Sequence, residues 1–297
     1  MKKKIETLTT ISILTGLLSA IAGILSFDTS HSYEVLNQYG KMITLWGAGI
    51  YAHDSYFKAP ILIGTDITMF FILIFLAFHL VKYRHRNSQK SLLLLTGLLS
   101  VQLYYSFSQS FGVVYNPLHL IYIASFGSSF FGFICCLIQL HSQQLAENQA
   151  WNPNTRGVRL LLFIAGFSLF AAWLPDILFS LLSGQSLEQI DIYTTEITYV
   201  IDMSVVSPFI FIVLYLLKKE KLQAYIYLPL TLILCTAVGL MVILQTGIML
   251  LAGIELSIVA LLTKVISFVL LSAFSLKYSF RYFKHLEIVT EVASFNQ

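Results

Sequence analysis

The sequence predicts an all-α polytopic membrane protein, a bundle of eight transmembrane helices with both termini cytoplasmic. Three observations carry that prediction. Of 297 residues, 57% are hydrophobic and only 11% are charged, whereas a water-soluble domain carries about a quarter charged residues. Apolar runs of the roughly 20 residues needed to cross a bilayer recur along the chain. Basic residues crowd alternate connections between those runs. The composition excludes a disordered chain and a nucleic-acid binder. Cys135, Cys136 and Cys235 all lie within apolar runs, so neither a disulfide framework nor a zinc-type cluster is encoded.

The first span, Leu8 to Phe27, follows Lys2, Lys3 and Lys4. It lacks a small-residue cleavage site and matches the later spans in length, so it reads as a retained helix rather than a signal peptide. The longest connection, Asp28 to Ala59, is external and contains Trp46, Tyr51, Tyr56 and Phe57. These rings are costly to leave in water, so the connection is expected to fold back on the helix ends or over a cavity. The second span, Pro60 to Val81, ends in a basic cluster, and the third runs from Ser91 to Phe111. In the fourth, Leu118 to Leu140, the small residues Ser125, Ser128, Ser129 and Gly132 allow close helix approach. The fifth, Leu160 to Leu182, has Pro175 beside Asp176, where the helix either kinks or ends. Ile197 to Leu217, Tyr225 to Gln245 and Glu255 to Phe274 complete the set, Glu255 reading as a helix-start acid. All basic residues except Lys41, Lys58 and Lys264 then fall on one side, which fixes the orientation. The whole of 1–297 is one integral membrane domain, in contact with the lipid bilayer throughout.

The second and sixth spans share a pattern. Lys82 follows Asp66-Ile-Thr68 at the interval at which Lys218 follows Asp202-Met-Ser204. Four spans separate the copies, as in a parallel four-plus-four duplication with halves 1–140 and 155–285. The plain alternative is that any two such helices ending in a cytoplasmic lysine show this spacing, and the sequence holds the two readings level. The stretches GIYAHDSYFKAPILIGTDITMF and IDIYTTEITYVIDMSVVSPFIF, with VVYNPLHLIYIASF between them, resemble a family of uncharacterised bacterial multi-pass membrane proteins. The resemblance implies the architecture and a bacterial inner-membrane location, and it transfers no activity.

Ionisable groups inside spans are the candidate functional residues, because an ion near the bilayer centre costs about 2.5–3.5 kcal/mol and is kept facing protein or water. Asp66, Asp202 and Lys264 qualify, and Asp176 joins them if its helix passes Pro175. Asp202 lies about 8 Å and Lys264 about 13 Å inside their helices, at about 1.5 Å per residue. Both side chains lean outward, so Lys264 is expected to pair with Asp66 or Asp202. Thr198 and Tyr199 share the Asp202 stripe, and Gln102, Tyr105, Ser106 and Gln109 form another on the third span. These residues predict an outward-opening polar pocket that binds a small ligand or cation for transport or sensing. External acids would concentrate cations at its mouth. Alternatives are an intramembrane enzyme acting on a lipid-linked substrate and a structural subunit of a membrane complex. No catalytic residue or cofactor is specified by a nucleotide, metal or nucleophile-elbow motif. His53 with Asp54 and His119 is too sparse a set to predict a metal. The oligomeric state is not encoded.

Overall fold

The computed structural model describes residues 1–86, 88–142, 152–258 and 261–295, with side chains to residue 286. Among these, eight helical segments are long and apolar enough to cross a membrane, as a multi-pass membrane protein requires. They are α1 (Lys2–Ile24), α2 (Lys58–Arg86), α3 (Gln89–Gly112), α4 (His119–Ser142), α5 (Arg156–Ser183), the sixth span Ile197–Lys218, α8 (Gln223–Leu251) and the eighth span from Leu261. The sixth is built from α6 (Ile197–Ile201), a π-helical segment (Asp202–Val206) and α7 (Ser207–Lys218). The eighth contains a π-helical segment (Leu261–Ile266) that runs into α9 (Ser267–Phe295).

The four helices α1–α4 pack together, α1 lying against α2 and α4 and α3 against the same two. α1 shows why: it buries Thr9, Ser12, Gly16, Ser19 and Gly23 at helical spacing and exposes Ile11, Leu14, Leu18 and Ile21. Small residues inside permit close backbone approach, and the large apolar ones are left for lipid. In the other half α5 packs on α7 and α8 on α9. α8 is also the seam, resting on α2 and α3.

Two features differ from the sequence reading. α8 continues to Leu251 and stops where Gly253 takes a left-handed conformation, φ +77°. The apolar run after Gln245 is therefore helix, not connection. Glu255 is left exposed in an irregular stretch, and Ile258 is already helical, three residues later. Pro175 lies inside α5, which continues to Ser183 and so includes Asp176.

The α1–α2 connection contains a hairpin that the sequence reading missed, β1 (Tyr33–Leu36) paired antiparallel with β2 (Met42–Leu45). The Asn37 side chain closes its turn by accepting from the Tyr39 and Lys41 amides. The connection folds back on the helix ends, as its aromatic content predicted. Trp46 is fully buried and donates from Nε1 to the Ser26 carbonyl at 2.7 Å. Its ring meets Phe27 and Tyr56, and the Tyr56 hydroxyl donates to the Ala252 carbonyl at 2.9 Å.

Candidate functional site

The residues expected to converge on one pocket form two clusters, one in each half. The first surrounds Asp66, which is 0% exposed. α2 places it against α3, where Tyr105 and Gln109 stand one turn apart on the same face. The Tyr105 hydroxyl donates to Asp66 Oδ1 at 2.6 Å and Gln109 Nε2 donates to the same oxygen at 3.1 Å. Tyr51, delivered by a short 3-10 turn after the hairpin, donates to Oδ2 at 2.6 Å and itself accepts from Gln109. Gly23 of α1 closes the fourth side, since a Cβ there would lie 1.7 Å from Asp66 Oδ2. Both carboxylate oxygens are thus satisfied by neutral donors in a dry site. Gln102, farther along α3, ties three helices together: its Nε2 donates to the Ser12 carbonyl and to Ser125 Oγ.

The second cluster is built on α5, where Trp173 and Asp176 are three residues apart and share a face. Trp173 Nε1 donates to Asp202 Oδ2 at 2.9 Å, and the Tyr104 hydroxyl of α3 donates to Oδ1 at 3.2 Å. The Trp173 ring stacks on Tyr199, centroids 4.7 Å apart, and Lys264 Nζ sits 5.0 Å from the ring centroid on the cation–π attraction. Lys264 Nζ lies 3.2 Å from Asp176 Oδ2, which also accepts the Tyr199 hydroxyl at 2.7 Å. Thr198, half-buried one turn before Asp202, accepts its backbone N–H through the carbonyl.

The expected partner of Lys264 is therefore corrected: it pairs with Asp176, not with Asp66 or Asp202. Pro175 does not end α5, so Asp176 stays on the helix three residues after Trp173, within reach of Lys264. Asp66 has spent its oxygens on its own cage, and Asp202 takes the Trp173 indole N–H. The expected polar pocket is corrected as well. The space beside Asp202 is a cavity of about 30 Å³ whose other lining includes Leu169, Val206, Leu234 and Phe268, and is mostly apolar. The ion pair itself is partly exposed, the Lys264 and Asp176 side chains at 32% and 38%. Leu174, Leu178, Leu262 and Ile266, close to them in sequence, are exposed too.

Trp173 and Tyr104, which sequence reasoning missed, hold the second cluster together. A tryptophan in an apolar run reads as a lipid-facing ring, yet an indole N–H inside a membrane needs an acceptor. That need, with an acid three residues on, was the available signal. Of the histidine set, His53 turns out to the Tyr33 hydroxyl at 3.0 Å while Asp54 turns inward, and His119 packs on Tyr115. Among the described residues no group of three or more His, Cys, Asp or Glu is placed to hold a metal ion.

Comparison of the chain with protein-family models, with curated proteins and with solved structures finds no match. The functional reading rests on the geometry.

Proposed function

We propose that this is a bacterial inner-membrane protein, with both termini cytoplasmic, that binds a small positively charged or zwitterionic solute from the extracytoplasmic side, for transport or sensing. The binding residues are Trp173, Asp176, Tyr199, Asp202 and Lys264. One observation carries the reading: the two π-helical segments bear Asp202 and Lys264, and both side chains meet the same Trp173 ring. An inserted π turn gives up regular hydrogen bonding and recurs at functional sites. Two in one small chain, both aimed at one indole, are hard to explain as packing. Charge points to the ligand class, because Asp176 and Asp202 against Lys264 leave one negative charge in excess. A cationic centre would offset it and would also be favoured by the aromatic faces. The small apolar cavity under Asp202 leaves slack into which the π segment can shift, as a transporter or sensor requires.

The equal spacing of the Asp66 and Asp202 motifs is read here as a parallel duplication, in which one copy has become a closed structural cage and the other the open site. A second function is favoured by the exposed apolar side chains near the part-exposed ion pair: an enzyme acting on a lipid-linked substrate, with Asp202 as general base.

The test is the fluorescence of Trp173, taken as the difference between the native chain and Trp173→Phe in nanodiscs. Titration with sodium, potassium, tetramethylammonium and glycine betaine is expected to give a saturable change with at least one of them, lost in Asp202→Asn. A response to a polyprenyl phosphate alone would replace this reading by the enzyme. No saturable response to any probe would remove both.

A further inference from the structure

The hairpin connection is clasped to residues 184–196, the segment that feeds α6. Asn37 Nδ2 donates to the Asp191 carbonyl at 2.8 Å and Gln38 Nε2 to the Tyr193 carbonyl at 3.2 Å. Lys58 Nζ meets Glu196 at 3.0 Å and lies 4.1 Å from the Tyr193 ring centroid. The Tyr193 hydroxyl accepts from the Ser55 amide at 3.2 Å and donates to Asp54 Oδ1 at 2.8 Å. Asp54 is 0% exposed and uses its oxygens unequally. Oδ1 accepts from both Tyr193 and the Val114 amide, 3.1 Å away, whereas Oδ2 is buried without a partner among the described residues. That division suits a neutral acid, whose carbonyl oxygen takes two donors. An ionised carboxylate would leave a bare charged oxygen out of water, which is costly.

We propose that Asp54 is a proton-binding site whose occupancy latches the hairpin connection onto residues 184–196, and that loss of the proton releases the segment leading to Tyr199 and Asp202. The latch does not depend on what the Trp173 cluster binds. The titratable groups facing Asp54 are Tyr193, Lys58 and, from α4, Tyr122. Glu196 stands behind Lys58, and Asp66 stands behind Tyr51, whose carbonyl accepts the Asp54 amide. Burial pushes the Asp54 carboxyl up to about 7, against the weaker downward pull of the Val114 and Tyr193 hydrogen bonds and of Lys58. Burial and then Asp54 raise Tyr193, so its hydroxyl stays a donor throughout.

The sign follows. A carboxyl held near 7 when latched, and returning to its ordinary value of 3.8 when released, favours the latched state fully below that value. Between 3.8 and 7 only the latched form keeps the proton, so the released fraction grows about tenfold per pH unit; above 7 both forms are ionised, the advantage is gone and the balance no longer changes. With Cys135, Cys136 and Cys235 replaced by serine, the thiol of Ser55→Cys is buried and that of Gln185→Cys is exposed. The ratio of their labelling rates cancels the intrinsic pH dependence of thiols. It is expected to rise about tenfold between pH 5 and 6, to level off above about pH 7.5, and to stay flat in Asp54→Asn, which mimics the neutral acid. A constant ratio from pH 5 to 7, or a rise that survives Asp54→Asn, overturns the proposal. If the cysteine variants do not fold, amide hydrogen exchange across residues 52–58 of the unmodified chain decides it. Protection relative to the intrinsic rate must fall between pH 5 and 7 and must not fall in Asp54→Asn; equal protection at pH 5 and 7 overturns the latch.

Discussion

Replacing Lys264 by methionine removes the ammonium and keeps most of the apolar stem, so its consequences depend on what the ammonium touches. Lys264 Nζ lies 3.2 Å from Asp176 Oδ2, and the two side chains are 32% and 38% exposed. A fully exposed pair is worth about 0.2–1 kcal/mol, while stripping one partner from a buried pair costs about 3–5 kcal/mol. A third of each side chain being exposed places the coupling between these limits, at about 1–2 kcal/mol. Asp202 is linked to Lys264 through the Trp173 ring that both meet, which puts its coupling at the low end for one network, about 0.5 kcal/mol. The measurement is a pair of double-mutant cycles by reversible SDS unfolding of the purified protein. One combines Lys264→Met with Asp176→Asn, the other Lys264→Met with Asp202→Asn. The first is expected to show the larger coupling and the second the smaller. A larger coupling to Asp202, or additivity with Asp176, would refute Asp176 as the partner of Lys264.

Gly23→Ala is expected to destabilise the protein by about 1–3 kcal/mol, the usual cost of overpacking, because its Cβ would lie 1.7 Å from Asp66 Oδ2. Gly127→Ala meets nothing within 4 Å and should fall within about 0.5 kcal/mol of the native chain in the same unfolding assay. Tyr105→Phe removes a 2.6 Å donor from the enclosed Asp66 and should cost about 1.5–3 kcal/mol. Tyr104→Phe removes a 3.2 Å donor from Asp202 and should cost about 0.5–1.5 kcal/mol, and equal losses would contradict the difference in enclosure. For topology, an impermeant thiol reagent applied to intact cells should label Gln185→Cys and not Arg86→Cys; the reverse pattern would invert the protein in the membrane.

The eight helices were legible because each apolar run is long enough to span, and length with composition is what the bilayer selects. The misplaced ends lie where apolar composition is silent. Thr246 to Leu251 reads equally as interface or helix, and what ends α8 is a backbone conformation at Gly253. The hairpin escaped because strands of four residues with exposed Tyr33, Leu36 and Met42 carry no clean alternation. In the Asp66 cage, Tyr105 and Gln109 were legible as one face of one helix. Tyr51 was not, because it arrives from the connection by a fold-back that no helical spacing encodes. The choice of Asp176 by Lys264 was hidden for a related reason: whether α5 passed Pro175, and so carried Asp176 beside Trp173, is not written in the composition.

The two clusters share a wall. Tyr104 and Tyr105 are consecutive on α3, so their side chains diverge by about 100° around the helix axis. One donates to Asp202 and the other to Asp66. α3 therefore cannot rotate to improve one bond without disturbing the other, and the shorter bond, inside the fully enclosed cage, governs its setting. That makes Asp66, with Tyr51 and Gly23 sealing it, the anchor from which the looser second cluster is hung. The anchor is made from the hairpin connection itself, through Tyr51, three residues before Asp54. Rigidity on one side of α3 is what allows the other side to keep a part-exposed ion pair, two π-helical segments and a small cavity without losing its geometry.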